Sequence, residues 1–392
     1  MNLFLPEENN LTIRWLQDRD LDAIEALLKS SHELHHSGSV SAFSEDIANF
    51  RQWYNPLKLR SLFPNPAQHK FCIYVAEKEE QVVGAIKVSP TNSSRSTWQV
   101  EHILVDPSYP LAGKRIGSQL LRYCFETIWE ARTWILEVNI HHKSILGLYR
   151  SNGFQPLAQS TYWLISPQQL QELAQHEPKL PNLLPVNNAD AQLLYQLDTV
   201  SMPPLLRQVF DRHVTDFNRN FLEITIGRLQ QWLGRKQTQE GYVFEPQRKA
   251  AIAHYQLNPN LGENQPRECK LTVHPAYTWL YRELVAKIAR SLPKNTHLLL
   301  ASADYQPERE EYLEEIGAER IEHTLLLSRS VWHKLREAPS SLERLQLSGV
   351  LQGLRPGGSP IPSRLPWLNS FAKETEENLE QEILRKEEEE AN

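Results

Sequence analysis

Gly113-Lys114-Arg115-Ile116-Gly117-Ser118 gathers two glycines, two cations and a hydroxyl where a strand gives way to a helix. That combination suits a phosphate. The first N–H groups of a helix lack internal partners and carry about half a positive charge from the aligned peptide dipoles. The glycines let a ligand approach the backbone, and Lys114 and Arg115 add full charges. A plain strand-to-helix corner accounts for the same residues. Upstream, Glu101 stands among Val100, Ile103 and Val105. A carboxylate in apolar company is costly without a task or a partner. It is either a general base, with His102 the second candidate, or a strand-edge glutamate paired to a nearby Lys or Arg.

The elements that must position these groups follow from patterning. Trp98 to Val105 is β-branched, aromatic or apolar and reads as a strand, and Pro107 and Pro110 stop it. Unbroken alternation sets Glu101, Ile103 and Val105 on one face and His102 and Leu104 on the other. Ile116, Leu120, Cys124 and Ile128 fall at helical spacing. Residues 11–16 alternate like a first strand, Phe71–Glu77 and Val82–Ser89 read as a hairpin around Lys78-Glu79-Glu80-Gln81, and Thr133–Ile140 is a second apolar strand. Ile145, Leu148 and Tyr149 then share the face of a short helix, which Gly153 ends as a left-handed cap.

Strand, turn, helix, strand, and a helix closing on Leu148-Tyr149 and Gly153-Phe154 resembles the GNAT superfamily of N-acetyltransferases. Val105-Asp106-Pro107 fits the family's Val-x-Pro, and Gly117 fits the last glycine of its Arg/Gln-x-x-Gly-x-Gly/Ala. Ala112 stands where the family has Arg or Gln, Arg115 where it has the first glycine, and His142 where many members carry Asn. The resemblance implies an α+β fold, each domain a mixed, largely antiparallel sheet flanked by helices. It implies acetyl-CoA as co-substrate, with no metal. Backbone groups of Leu104 and Val105 would hold the pantetheine arm and the thioester carbonyl. The turn Ala112, Gly113, Lys114, Arg115, Ile116, Gly117 and Ser118 would hold the pyrophosphate, with His142 a further contact. Glu101 would be the base. Tyr149 would be the acid that protonates the departing thiolate, or else a core tyrosine. In the family, the region after the first strand closes over the acceptor, which makes Trp53, Tyr54, Lys58 and Arg60 candidate acceptor contacts. A solvated helix pair with aromatic anchors explains them too. His32, His35 and His36 form a histidine cluster for which the sequence places no further ligand.

At 392 residues the chain exceeds one comfortable core, so two domains are expected. The second half repeats the first. Lys270–Tyr277 echoes Ile103–Tyr109, and the helix, strand, helix and strand that follow keep the order. Gly317 stands where Gly153 does and Leu313 where Tyr149 does, and no glycine precedes the helix near Leu280. The expected division is a GNAT domain over 1–168 with residues 155–166 as its closing strands, a linker over 169–182, a degenerate GNAT-like domain over 183–335, and a Gly/Pro linker with an acidic tail over 336–392. One amphipathic helical stretch is expected around Ala189–Phe210 and another around Phe221–Leu233.

Residues 373–392 carry nine Glu against three basic residues, which accounts for the whole net charge of −6. The balanced remainder excludes a nucleic-acid binder by charge. No apolar run is long enough to span a bilayer. The start lacks a signal peptide's basic and apolar regions, and Cys72, Cys124 and Cys269 read as buried thiols in a reducing compartment. A cytoplasmic protein with no membrane partner is expected, with Trp367 and Leu368 in the tail as a docking anchor for a protein partner. The expected activity is acetyl transfer from acetyl-CoA to a small amine or a protein amine, directly within a ternary complex. A non-catalytic scaffold or a CoA sensor working through a partner is the competing class.

Overall fold

The computed structural model describes residues 11–30, 71–108, 113–218, 239–258 and 265–331. Outside them lie His32, His35, His36, Trp53, Tyr54, Lys58, Arg60, Ala112, the stretch expected around Phe221–Leu233, and the tail with Trp367 and Leu368.

The alternating stretch at the start forms β1 (Leu11–Trp15), followed by α1 (Leu21–Ser30). The expected hairpin is β2 (Cys72–Lys78) and β3 (Gln81–Pro90), turned by Glu79 and Glu80, both at positive φ. Then come β4 (Thr97–Val105), α2 (Gly113–Thr127), β5 (Thr133–Asn139), α3 (Lys143–Ser151) and β6 (Gln155–Ile165). A capping box on Ser166 and Gln169 starts α4 (Pro167–Leu173). After the short β7 (Leu183–Pro185), the stretch expected as one helix is two, α5 (Ala191–Ser201) and α6 (Pro204–Phe210). Met202 is extended there, ahead of Pro203 and Pro204, because the residue before a proline is pushed out of the helical region. The second half continues with β8 (Gln239–Glu245), β9 (Ala250–Leu257), β10 (Arg267–Val273), α7 (Leu280–Ser291), β11 (Leu298–Ala303), α8 (Pro307–Glu315) and β12 (Glu319–Ser330).

The described strands form one sheet in the order β1-β2-β3-β4-β5-β12-β6-β11-β10-β9-β8-β7. The expectation that residues 155–166 supply the closing strands of the first half is corrected. They form the single strand β6, which runs antiparallel to β11 and β12. β12 in turn runs beside β5 over seven residue pairs, Thr324↔Asn139 to Ser330↔Thr133. Each half therefore gives its last strand to the other. Trp163 and Ile165 of β6 are buried with α7, whereas Leu325 and Leu327 of β12 are buried with α2 and α3.

Helices flank the sheet in matching places. On one face of the first half, Ile116, Leu120, Leu121, Cys124 and Phe125 of α2 cover Ile86, Val88, Trp98 and Leu136. On the opposite face, Leu21, Ile24, Leu27 and Leu28 of α1 cover Ile73, Val75, Ala85 and Leu104. In the second half α7 takes the place of α2, and α5 that of α1.

Candidate active site

β4 and β5 are parallel and paired at only three positions, Thr97↔Thr133, Trp98↔Trp134 and Gln99↔Ile135. Both strands run on, β4 to Val105 and β5 to Asn139, with no further rung between them. Backbone groups on the facing edges beyond Gln99 and Ile135 thus lack a strand partner, which opens a wedge in the sheet. α2 starts at its mouth. A Cβ added to Gly113 would lie 3.4 Å from Val105 Cγ1, so the first turn of the helix sits against the end of β4. Lys114 and Arg115 are exposed there and Ile116 is buried. Gly117 serves a different purpose from the close ligand approach expected of it. Its missing side chain admits Leu148, since a Cβ would lie 3.0 Å from Leu148 Cδ2, and so it seats α3 against α2. Ser118 joins the same contact, its hydroxyl accepting from Asn152 Nδ2 at 2.8 Å.

β4 carries a bulge. Lys87 pairs with His102 and Val88 with Val100, which leaves Glu101 as the extra residue. The expectation that Glu101 shares a face with Ile103 and Val105 is corrected, because the bulge breaks the alternation. Glu101 accepts from the Ser89 hydroxyl and from Lys87 Nζ at 2.5 Å. Lys87 and Ser89 alternate with the core residues Ile86 and Val88, so Glu101 lies on the α1 face. The ammonium is almost wholly buried, with its side chain 4% exposed, and Glu101 supplies its counter-charge. The ion-paired glutamate weighed in the sequence is therefore present. His102 is buried beside it.

Across the wedge stands Glu137 of β5, a site residue not among those expected from the sequence. It is two residues past the last rung, as Glu101 is. Ile135, Glu137 and Asn139 face away from Trp134, Leu136 and Val138, which sit in the α2 core. Glu137 therefore shares the α1 face with Glu101. It accepts from the Tyr162 hydroxyl at 3.0 and 3.1 Å, and from that of Thr324. Both partners come from the exchanged strands. The signal was available, because Glu137 is a lone charge within TWILEVN.

Tyr149 is on the other side of the sheet. It is buried in the cluster of Ile103, Ile116 and Val138 and packs edge-on to Phe154 at 5.7 Å. Burial alone pushes its phenol well above the ordinary range, so it is protonated at any physiological pH. Its hydroxyl makes no hydrogen bond among the described residues. Gly153, at φ +81°, caps α3 as expected. His142 is the half-buried residue before α3, and its side chain makes no capping bond. The wedge thus has a buried phenol on one face and carboxylates on the other.

The second half repeats the wedge and fills it. β10 and β11 pair at three positions, Arg267↔Leu298 to Cys269↔Leu300. Just beyond, the buried Arg309 of α8 donates to the carbonyls of Leu271 at 2.6 Å and Ala301 at 2.9 Å, under the ring of Tyr281. Its counterpart in the first half is Ile145, which has no polar group to make such a bridge. The β9–β10 register also has no bulge. The missing glycines and the missing tyrosine are visible in the sequence, whereas this arginine gains its meaning only beside the parted strands.

Residues 69–156 match the acetyltransferase (GNAT) domain family. Among solved structures, a tandem GNAT protein from the clavulanic acid biosynthesis pathway aligns over 83% of this chain and 100% of its own, at 14% identity and a TM-score of 0.53. A GCN5-related N-acetyltransferase from Sphaerobacter thermophilus aligns over 83% of this chain and 96% of its own, at 13% identity and a TM-score of 0.49. The likeness to the first of these is one of fold. None of the curated protein sequences compared with the chain matches it. Among the described residues no helix is long and apolar enough to cross a membrane.

Proposed function

We propose, from the match of residues 69–156 to the GNAT domain family within a tandem GNAT fold, that the first half of the chain is an N-acetyltransferase using acetyl-CoA and an amine acceptor. The observation that carries this reading is the wedge between β4 and β5, with a helix start at its mouth and a buried, protonated tyrosine beside it.

The residues present fit the donor. The N–H groups that open α2, with Lys114 and Arg115 beside them, would hold a diphosphate. The unpartnered edge of β4 around Leu104 and Val105 would hold an extended amide-bearing arm, as a strand holds its neighbour. When bound, acetyl-CoA supplies an acetyl group activated as a thioester. N–H groups on that edge would stabilise charge developing on the acyl oxygen. Glu101 and Glu137, on the two lips of the α1 face, would attract a cationic amine, and Glu101 takes its proton directly or through water. Tyr149 gives its hydroxyl proton to the departing sulfur. Acid and base on opposite faces suit direct transfer in a ternary complex, with donor and acceptor meeting through the wedge.

Calorimetric titration with acetyl-CoA tests the first step, and absence of binding by the intact protein would end this reading. An amine and peptide library screened by thiol release then identifies the acceptor. The protein's own cysteines are a silent background in that assay. All three are buried, and burial pushes Cys72 up to about 11 and Cys269 up to about 12.

A further inference from the structure

A cavity of about 360 Å³ lies in the second half, between α5, α6 and residues 211–213. That is within the range in which small molecules are held. Its apolar wall is Met202, Pro204 and Phe210. Its ionic groups pair off and leave one over. Arg212 donates to the buried Asp198 at 2.7 Å and lies over the Phe210 ring at 5.0 Å. His213 stands 3.8 Å from the carboxylate of Asp211. Arg207, on the same wall, has no carboxylate partner among the described residues. A guanidinium on the wall of a cavity takes a planar oxyanion in a bidentate grip, and the apolar residues beside Arg207 suit a carboxylate carried on an apolar body.

The cavity wall is fastened to the first half. The Thr97 hydroxyl donates to the Val209 carbonyl at 2.7 Å, and Asn92 Nδ2 donates to those of Phe210 at 3.1 Å and Asp211 at 2.9 Å. The Ser96 hydroxyl donates to the Asp211 carboxylate at 2.6 Å. These donors belong to the turn between β3 and β4, and Thr97 is the first rung of the short ladder from which the wedge opens.

We propose that this cavity is a second ligand site, for a small molecule with a carboxylate on an apolar body, and that its occupancy alters donor binding in the first half through the turn of residues 91–97. The coupling rests on the acetyltransferase reading; the binding does not.

The test uses the full chain, with benzoate and phenylacetate as probes and benzylamine and benzyl alcohol as charge controls, followed by calorimetry and thermal unfolding. Expected is saturable binding of one carboxylate per chain, weakened about tenfold or more by Arg207→Gln and by loss of the probe's charge. Expected too is that saturating benzoate changes the Kd for acetyl-CoA by about threefold or more, with acetyl-CoA changing that for benzoate by the same factor. No carboxylate binding up to about 10 mM, equal binding by Arg207→Gln, or preference for benzylamine would overturn the site. An acetyl-CoA Kd indifferent to benzoate would overturn the coupling. Benzoate binding that needs Arg207, in a chain that never binds acetyl-CoA, would support the site while refuting the enzyme reading.

Discussion

Replacing Tyr149 by Phe separates the two roles open to this residue. The ring stays, so its edge contact with Phe154 and its place in the buried cluster survive and no cavity forms. The hydroxyl makes no hydrogen bond among the described residues, so its removal breaks none of them. Stability is then expected to stay level or rise by roughly 0–1 kcal/mol. If the phenol is the proton donor, its loss costs about 10²–10⁴ in kcat, or roughly 2.7–5.4 kcal/mol of barrier. The measurements are kcat by thiol release, the Kd of acetyl-CoA by calorimetry, and the urea midpoint. A large fall in kcat with the other two unmoved is expected. A kcat within about threefold of the native value would make Tyr149 a core residue and remove the acid from the mechanism. The native pH profile gives a second check. The acid works only while protonated, and burial raises its pKa, so activity should hold beyond pH 10, the ordinary value for a phenol. A descending limb of this group below that value would contradict the assignment.

Glu101→Gln alone strips the buried Lys87 of its counter-charge and should destabilise the protein by about 3 kcal/mol. Lys87→Met with Glu101→Gln should recover most of that loss, so the paired variant is the fair test of the base. A near-native kcat in the pair would reduce Glu101 to an ion-pair partner. Arg309→Leu orphans the carbonyls of Leu271 and Ala301 and should cost about 2–4 kcal/mol in urea unfolding. While that arginine is in place, the chain should bind one acetyl-CoA, and a calorimetric stoichiometry of two would contradict its role as a plug. A fragment ending at residue 168 lacks the strand that covers β5 and supplies Leu325 and Leu327. It should show no cooperative thermal transition, whereas a chain ending after His333 should keep one.

Much of the first half could be read locally. The hairpin of β2 and β3, the helix after Gly113, the cap at Gly153 and the repeated order of the second half all follow from periods and turn residues a few positions apart. The split between α5 and α6 was equally open to view in Met202-Pro203-Pro204, but amphipathic spacing on both sides drew one helix across it. Features that depend on distant partners were not legible. The bulge at Glu101 is set by the register against β3, so alternation along β4 alone put the carboxylate on the wrong face. Arg309 reads as an ordinary helix residue until β10 and β11 are seen to part beside it. Nothing in residues 155–165 distinguishes a neighbour in one half from a neighbour in the other.

That strand exchange also sets a schedule for synthesis. The edge of β5 is complete once Asn139 has left the ribosome, yet the segment that covers it ends at Ser330. At roughly 5–20 residues per second, the delay is on the order of 10–40 s. During it the nascent first half exposes a sticky apolar edge, the kind that pairs with a neighbouring chain on the same messenger. Newly made protein should therefore depend on chaperones more than its finished stability would suggest.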